Sequence, residues 1–275
     1  MNKIRWSSVY LVLVFLILYL PIFYLIYYSF NDGGTMNEFT GFTWRYYQDV
    51  FQDERLIEIV LNTFLLAFSS ALFATIFGTF GAIWIYFLKN KSTKTSVLSM
   101  NNILIVSPDV MIGASFLIFF TFLNASLGFF TVLLSHIAFS IPIVVLMVLP
   151  KLQEMNTSMI DAARDLGASP WVVIWKIILP FITPGIIAGY FMAFTYSLDD
   201  FAVTFFVTGN GFSTLSLEIY SRARQGISLE INALSTLLFI FSMILVTGYY
   251  FISQDNLTKK QKKRLKEQKE VSNLL

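Results

Sequence analysis

The chain has no cysteine and one histidine. The first absence excludes a disulfide framework, a thiolate metal site and a cysteine nucleophile, and the second leaves no material for a histidine-rich metal centre. Charge is scarce as well: 13% of the 275 residues are charged, against about 25% in an ordinary soluble domain. No G-x-x-x-x-G-K-[ST] run occurs, so P-loop binding and hydrolysis of ATP are excluded for this chain alone. What the sequence does have is apolar, with 56% hydrophobic residues including 29 Phe, 13 Tyr and 5 Trp. A water-soluble fold of this size cannot hide so much apolar surface in one core, and a single bilayer domain is expected.

A bilayer core of about 30 Å needs a helix of about 20 mostly apolar residues to cross it. Six stretches qualify: Ser8 to Tyr28, Asn62 to Leu88, Ile103 to Leu123, Phe129 to Leu149, Gly185 to Val207 and Ala233 to Ile252. The first follows Lys3 and Arg5 as a signal peptide would, but it is too long for an h-region and no small-residue cleavage site follows; it is expected to be retained. Fifteen of the 19 basic residues fall on one side of the resulting topology, seven of them in the tail after Asp255. Arg45, Arg55, Arg222 and Arg224 fall on the other, together with eight acids from Asp32 to Glu230. The positive-inside rule then places both termini in the cytoplasm. The basic tail reads as topology and lipid attraction more simply than as a nucleic-acid site.

The connection from Pro150 to Pro184 is long, and loops of that length usually have a function. It reads as two short amphipathic helices. Ser158, three residues before Asp161, opens one through Leu166, and Gly167 ends it. Ser169 and Pro170 open the second, which is expected to stop before Pro180. Thr183 and Pro184 then repeat the device to launch the fifth span. Trp171, Ile174, Trp175 and Ile178 share one side at helical spacing. Such a segment either lies in the membrane interface or docks a cytoplasmic partner.

Acids within spans carry the second signal, since each costs about 2.5 to 3.5 kcal/mol at a helix centre on the insertion scale. Asp199 and Asp200 lie on the order of 23 to 24 Å along the helix from Pro184, in the outer part of the bilayer. Asp109 follows Pro108, which interrupts the third span; irregular backbone at membrane depth is tolerated where it lines a cavity. No Lys or Arg lies within the six stretches. A cation pathway and structural hydrogen bonding both remain open for these carboxylates. His136 reads as a helix–helix hydrogen-bonding residue, a proton relay being the alternative. Gly78 and Gly81 are expected to permit close helix packing.

The run Asp161-Ala162-Ala163-Arg164-Asp165-Leu166-Gly167-Ala168-Ser169, followed by Lys176-Ile177-Ile178-Leu179-Pro180, resembles the EAA motif of ABC importer permeases. That pattern is E-A-A, three residues, G, nine residues, I, one residue, L-P; the departure is Asp161 in place of Glu. The resemblance implies an all-α integral membrane protein with the six-helix type I ABC importer permease fold, a transport subunit and not an enzyme. It implies that Asp161, Ala162, Ala163, Asp165, Gly167, Leu179 and Pro180 couple the chain to an ATPase dimer. ATP and Mg would be bound by that partner, with no cofactor in this chain. Residues 1–56 would form the first helix and external loop, 57–252 the permease core with its coupling helix at about 158–167, and 253–275 the cytoplasmic tail.

Ser107-Pro108-Asp109, Ser197-Leu198-Asp199-Asp200, Phe206-Val207-Thr208-Gly209 and Ile231-Asn232-Ala233 together resemble the permeases of spermidine/putrescine importers. By that resemblance Asp109, Asp199, Asp200, Ser197 and Tyr46 would contact a polyamine, carboxylates supplying charge and aromatic faces cation–π attraction. For Tyr46 interfacial anchoring is the equal alternative. A homologous second permease, an external polyamine-binding protein and a bacterial inner or plasma membrane location are implied too. The rival readings are an ABC permease for another cation, an amino acid or a sugar, and an ion-gradient secondary carrier.

Overall fold

The computed structural model describes residues 6–226, 228–244 and 247. Among them the chain is helical apart from turns and one isolated antiparallel bridge, Asn31 to Phe42. In chain order the helices are α1 (Trp6–Tyr28), α2 (Arg45–Gln52), α3 (Glu54–Phe87), α4 (Lys91–Val106), α5 (Asp109–Phe122) and α6 (Phe129–Gln153). There follow α7 (Ser158–Asp165), α8 (Pro170–Val173), a π-helical turn (Ile174–Ile178), α9 (Leu179–Asp199), α10 (Ala202–Val207), α11 (Leu215–Gln225) and α12 (Leu229–Ile244).

Among the described residues four helices are long and apolar enough to cross a membrane: Val9–Tyr28, Glu54–Phe87, Phe129–Gln153 and Pro170–Asp199. The third expected span is not one straight helix. It begins earlier, at Lys91, and bends by 106° between α4 and α5. The proline explains the break: Pro108 has no N–H to continue the ladder, and the residue before it is driven out of the α region, as the extended backbone of Ser107 shows. The fifth expected span is also broken, ending at Asp199 and resuming at Ala202. Its start differs too. The helix opened by Pro170 runs on without a stop to Asp199, so Pro180, Thr183 and Pro184 lie inside it. A proline inside a helix clashes with the carbonyl four residues back; here the wider π turn immediately before Pro180 relieves that contact. The last expected span starts at Leu229, and its end lies outside the described residues, as do Lys3, Arg5 and the basic tail.

The chain divides into two compact units, residues 55–221 and residues 1–54 with 222–275. In the first, α6 is central. Its Val144, Val145, Val148 and Leu152 are buried against Ala71, Ala74 and Ala82 of α3, Ile178 of the π turn, and Ile182 and Ala193 of α9. Val144 is gripped from two sides, because a Cβ on Gly78 would lie 2.6 Å from Val144 Cβ and one on Gly189 would lie 3.2 Å from its Cγ1. Small residues let backbones approach closely where lipid offers no hydrophobic drive to associate. Gly81 does not share this role, since its nearest neighbour would be 3.9 Å away.

In the second unit, none of the apolar stretch of α1 is buried within the chain. The turn after it is organised by Asn31, whose amide donates to the Thr35 and Glu38 carbonyls at 2.7 Å each and whose oxygen accepts from Thr40 N–H at 2.8 Å. Arg222 holds Asp53 and Glu230 together at 2.9 Å each.

Candidate functional site

Both breaks in the membrane helices place an acid at the start of the second half-helix. Asp109 lies in the first turn of α5, and Asp200, two residues before α10, accepts from the N–H groups of Val203 and Thr204 in its first turn. A helix N-terminus carries unsatisfied N–H groups and a partial positive charge, so a carboxylate is stabilised there. The two half-helices pack on each other at Gly113, where a Cβ would lie 2.7 Å from Phe206 and 3.0 Å from Val203 Cα.

Adjacent residues on a helix point about 100° apart, and here the difference separates two environments. Asp200 points inward with its side chain 7% exposed. It accepts from Thr204 N–H at 2.8 Å, Val203 N–H at 3.2 Å and the Thr204 hydroxyl at 2.8 Å, with His136 Nε2 3.4 Å away. Asp199 is exposed and forms no hydrogen bond or ion pair among the described residues. Tyr196, three residues earlier on α9, donates its hydroxyl to Asp109 at 2.8 Å, joining α5 to α9.

Ser197 is buried and belongs to a different network. Ser70 of α3 donates to Ser197 at 2.8 Å, and Ser197 lies 2.7 Å from His136 Nδ1. His136 Nε2 lies 2.9 Å from the Thr204 hydroxyl. Thr204 gives its proton to Asp200, so its oxygen accepts from His136 Nε2–H, and Nδ1 accepts from Ser197. One directed chain of hydrogen bonds thus joins α3, α9, α6 and α10. His136 is the helix–helix linker that its lone position in an apolar run suggests.

Of the five residues expected to meet a substrate, Asp109 and Asp199 are exposed, whereas Asp200 and Ser197 are turned inward with their polar atoms occupied. Tyr46 is half-buried at the start of α2, in the other compact unit. Sequence reasoning missed Tyr196, the hydrogen-bond partner of Asp109. It also missed Ser70 and Thr204, which no local pattern marks.

On the side of the long connection, α7 carries Asp161, Ala162, Ala163 and Asp165. Its start is capped by Asn156, whose side chain accepts from Ser158 N–H at 3.0 Å, and not by Ser158, which lies within the helix. Its end is a Schellman turn: Gly167 has φ +81°, its N–H donates to Arg164 O at 2.8 Å, and Ala168 N–H donates to Ala163 O at 3.0 Å. Space around Gly167 is open, and Leu166 beside it is 89% exposed. Leu179 and Pro180 begin α9.

Residues 74–263 match the family described as binding-protein-dependent transport system inner membrane component. The chain is 37% identical over 242 residues to the spermidine/putrescine transport system permease protein PotC of Escherichia coli (strain K12), covering 88% of this chain and 91% of the relative. It is 33% identical to the putrescine transport system permease protein PotI of the same organism, covering 95% and 94%. Among solved structures it resembles a bacterial ABC transporter involved in the import of the acidic polysaccharide alginate, with a TM-score of 0.71 and 17% identity over 90% of this chain and 94% of that one. That likeness shows the type I ABC importer permease fold.

Proposed function

Because this chain belongs to the binding-protein-dependent transport system inner membrane component family, we propose that it is the permease subunit of an ATP-driven importer for polyamines of the spermidine/putrescine class. It is a transport subunit of the bacterial inner or plasma membrane, not an enzyme. Its partners are an ATPase dimer, which binds ATP and Mg, a homologous second permease and an external polyamine-binding protein.

The observation that carries the substrate class is the exposure of two membrane acids, Asp109 with its Tyr196 partner and Asp199. No Lys or Arg lies within the six apolar stretches of the sequence. An ammonium group supplies the missing positive charge. Asp200 and Ser197 act from behind, fixing the break in the helix that presents Asp199. Tyr46 serves the external entrance, where an aromatic face attracts cations. The carboxylates must hold the polyamine weakly enough to release it inward.

Coupling follows from continuity. The helix from Pro170 to Asp199 has 30 residues, about 45 Å at 1.5 Å per residue. It joins the Schellman turn at Gly167 to the exposed acid at its far end. Movement of the ATPase against α7 reaches Asp199 through that one rod, buttressed by Val144 between Gly78 and Gly189. Asp161, Ala162, Ala163 and Asp165 form the docking helix, Gly167 permits its sharp exit, and Leu179 and Pro180 continue the rod after its π turn.

Reconstitution with the partner subunits tests this reading. Uptake of labelled spermidine into proteoliposomes is expected to require ATP and the binding protein, and to be competed by putrescine. Uptake that follows the membrane potential without ATP overturns the importer mechanism. Uptake of another solute that excess spermidine and putrescine leave unchanged overturns the substrate class.

A further inference from the structure

An unbroken α-helix would bury both tryptophans at the start of the rod. Counted at 100° per residue, Trp171 and Trp175 fall within about 20° of Ile182, on the stripe that carries Ile178, Gly185 and Gly189 into the core. In the structure they are 66% and 60% exposed. The cause is the π turn at Ile174–Ile178, closed by the N–H of Leu179 donating to Ile174 O five residues back. It takes one residue more than an α turn, so everything before it is rotated by about 100° relative to α9. Val173 and Ile178, five residues apart, are therefore the pair that is buried, and the two indoles are turned outward.

We infer that Trp171 and Trp175 form an anchor for the headgroup region of the cytoplasmic leaflet, and that the π turn is the device that aims them at it. The occupant is lipid for three reasons. First, the face is continuous with a membrane span whose length of about 45 Å exceeds the hydrocarbon thickness of about 30 Å. With Asp199 toward the outer side, the first turns of the rod fall at the inner interface. Second, Trp is the residue that settles at headgroup level, with its ring among the upper acyl carbons and its N–H in water. Third, exposed Lys176 lies beside the pair, on the basic face of the protein, where anionic headgroups are the complementary partner. The exposed Met159 of α7 and Leu166 at its end lie on the other side of the Gly167 turn, leaving the docking helix its own contact surface. The anchor fixes the depth of the rod, so that a push on α7 is not dissipated by the rod sinking or tilting. This inference rests on the permease reading above, but not on the substrate.

Trp fluorescence tests it directly. Versions of the chain that retain Trp171 or Trp175 alone, with the other tryptophans replaced by Phe, are assembled with the ATPase and second permease. They are then placed in nanodiscs of phosphatidylcholine and phosphatidylglycerol carrying nitroxide-labelled lipid. A label near the headgroup is expected to quench both residues at least roughly twofold more than one near the acyl terminus, whether the ATPase is present or removed. Stronger quenching by the deep label places the indoles in hydrocarbon and overturns the assignment. Insensitivity to both labels overturns it too, and a response to ATPase removal instead gives the face to a protein. Deleting Ile174, which closes the π turn to an α turn, is expected to remove the shallow quenching of Trp171; unchanged quenching overturns the role of the turn. If that variant does not assemble, the lipid measurement in the native register still decides the anchor. Failure here leaves the ATP-dependent uptake assay untouched, so the two readings fall separately.

Discussion

His136 Nε2 and Asp200 Oδ2 lie 3.4 Å apart at the point where α9 stops and α10 begins. The Thr204 hydroxyl bridges them, 2.9 Å from the imidazole and 2.8 Å from the carboxylate. The break in the helix is thus held by a closed hydrogen-bond network, and the exposed carboxylate next to it inherits a fixed position.

Asp199 and Asp200 are therefore expected to separate on substitution. Asp199→Asn leaves thermal stability in detergent unchanged and lowers spermidine uptake roughly tenfold or more, since about 1.4 kcal/mol of lost attraction suffices for that factor. Asp200→Ala removes the acceptor for the first-turn N–H groups of α10 and leaves His136 and Thr204 short of a partner, a loss of about 1–3 kcal/mol, read as a lower unfolding temperature. Equal effects of the two substitutions on stability would remove the distinction.

Tyr196→Phe isolates one hydrogen bond. The ring keeps its edge contact with Phe139, at a centroid distance of 4.9 Å, while the donor to Asp109 is lost. With about 0.5–1.5 kcal/mol at stake, uptake is expected to fall roughly two- to tenfold, mostly through KM. Concentration-dependent uptake by the purified, reconstituted complex measures it, and a change in thermal stability without a change in KM makes Tyr196 a packing residue only.

Helix packing is expected to distinguish Gly78 from Gly81. At Gly78 an added methyl meets the side chain of Val144 at 2.6 Å, and overpacking of this kind costs about 1–3 kcal/mol. At Gly81 the nearest atom is 3.9 Å away, and the better helix propensity of Ala favours the change. Gly78→Ala lowers the unfolding temperature and the yield of assembled complex, and Gly81→Ala is neutral or slightly stabilising. Thermal unfolding of the two proteins side by side checks this.

Gly167 isolates coupling from folding. Its φ of +81° disfavours any side chain, while the space around it is open. Gly167→Val costs about 1–2 kcal/mol of backbone strain and redirects the exit from α7. The expected outcome is an assembled complex that hydrolyses ATP but imports fewer polyamines per ATP. An unchanged ratio of transport to hydrolysis counts against α7 as the coupling helix.

Amino-acid order alone decides the solvent and the places where chemistry is possible. Apolar runs of spanning length, basic residues gathered in the connections and three acids left inside the runs are properties of composition and order. The Schellman exit at Gly167 and the proline break at Pro108 were legible for the same reason, because each follows from the backbone limits of a single residue type. Tertiary structure decided which side chains face each other. That Asp200 is bound while Asp199 is exposed depends on His136 and Thr204, which reach Asp200 from other helices. That Trp171 and Trp175 are exposed depends on one extra residue in a turn, which changes the helical phase of everything before it. A periodic pattern predicts a face only while the period holds, and the π turn before Pro180 is where it stops holding.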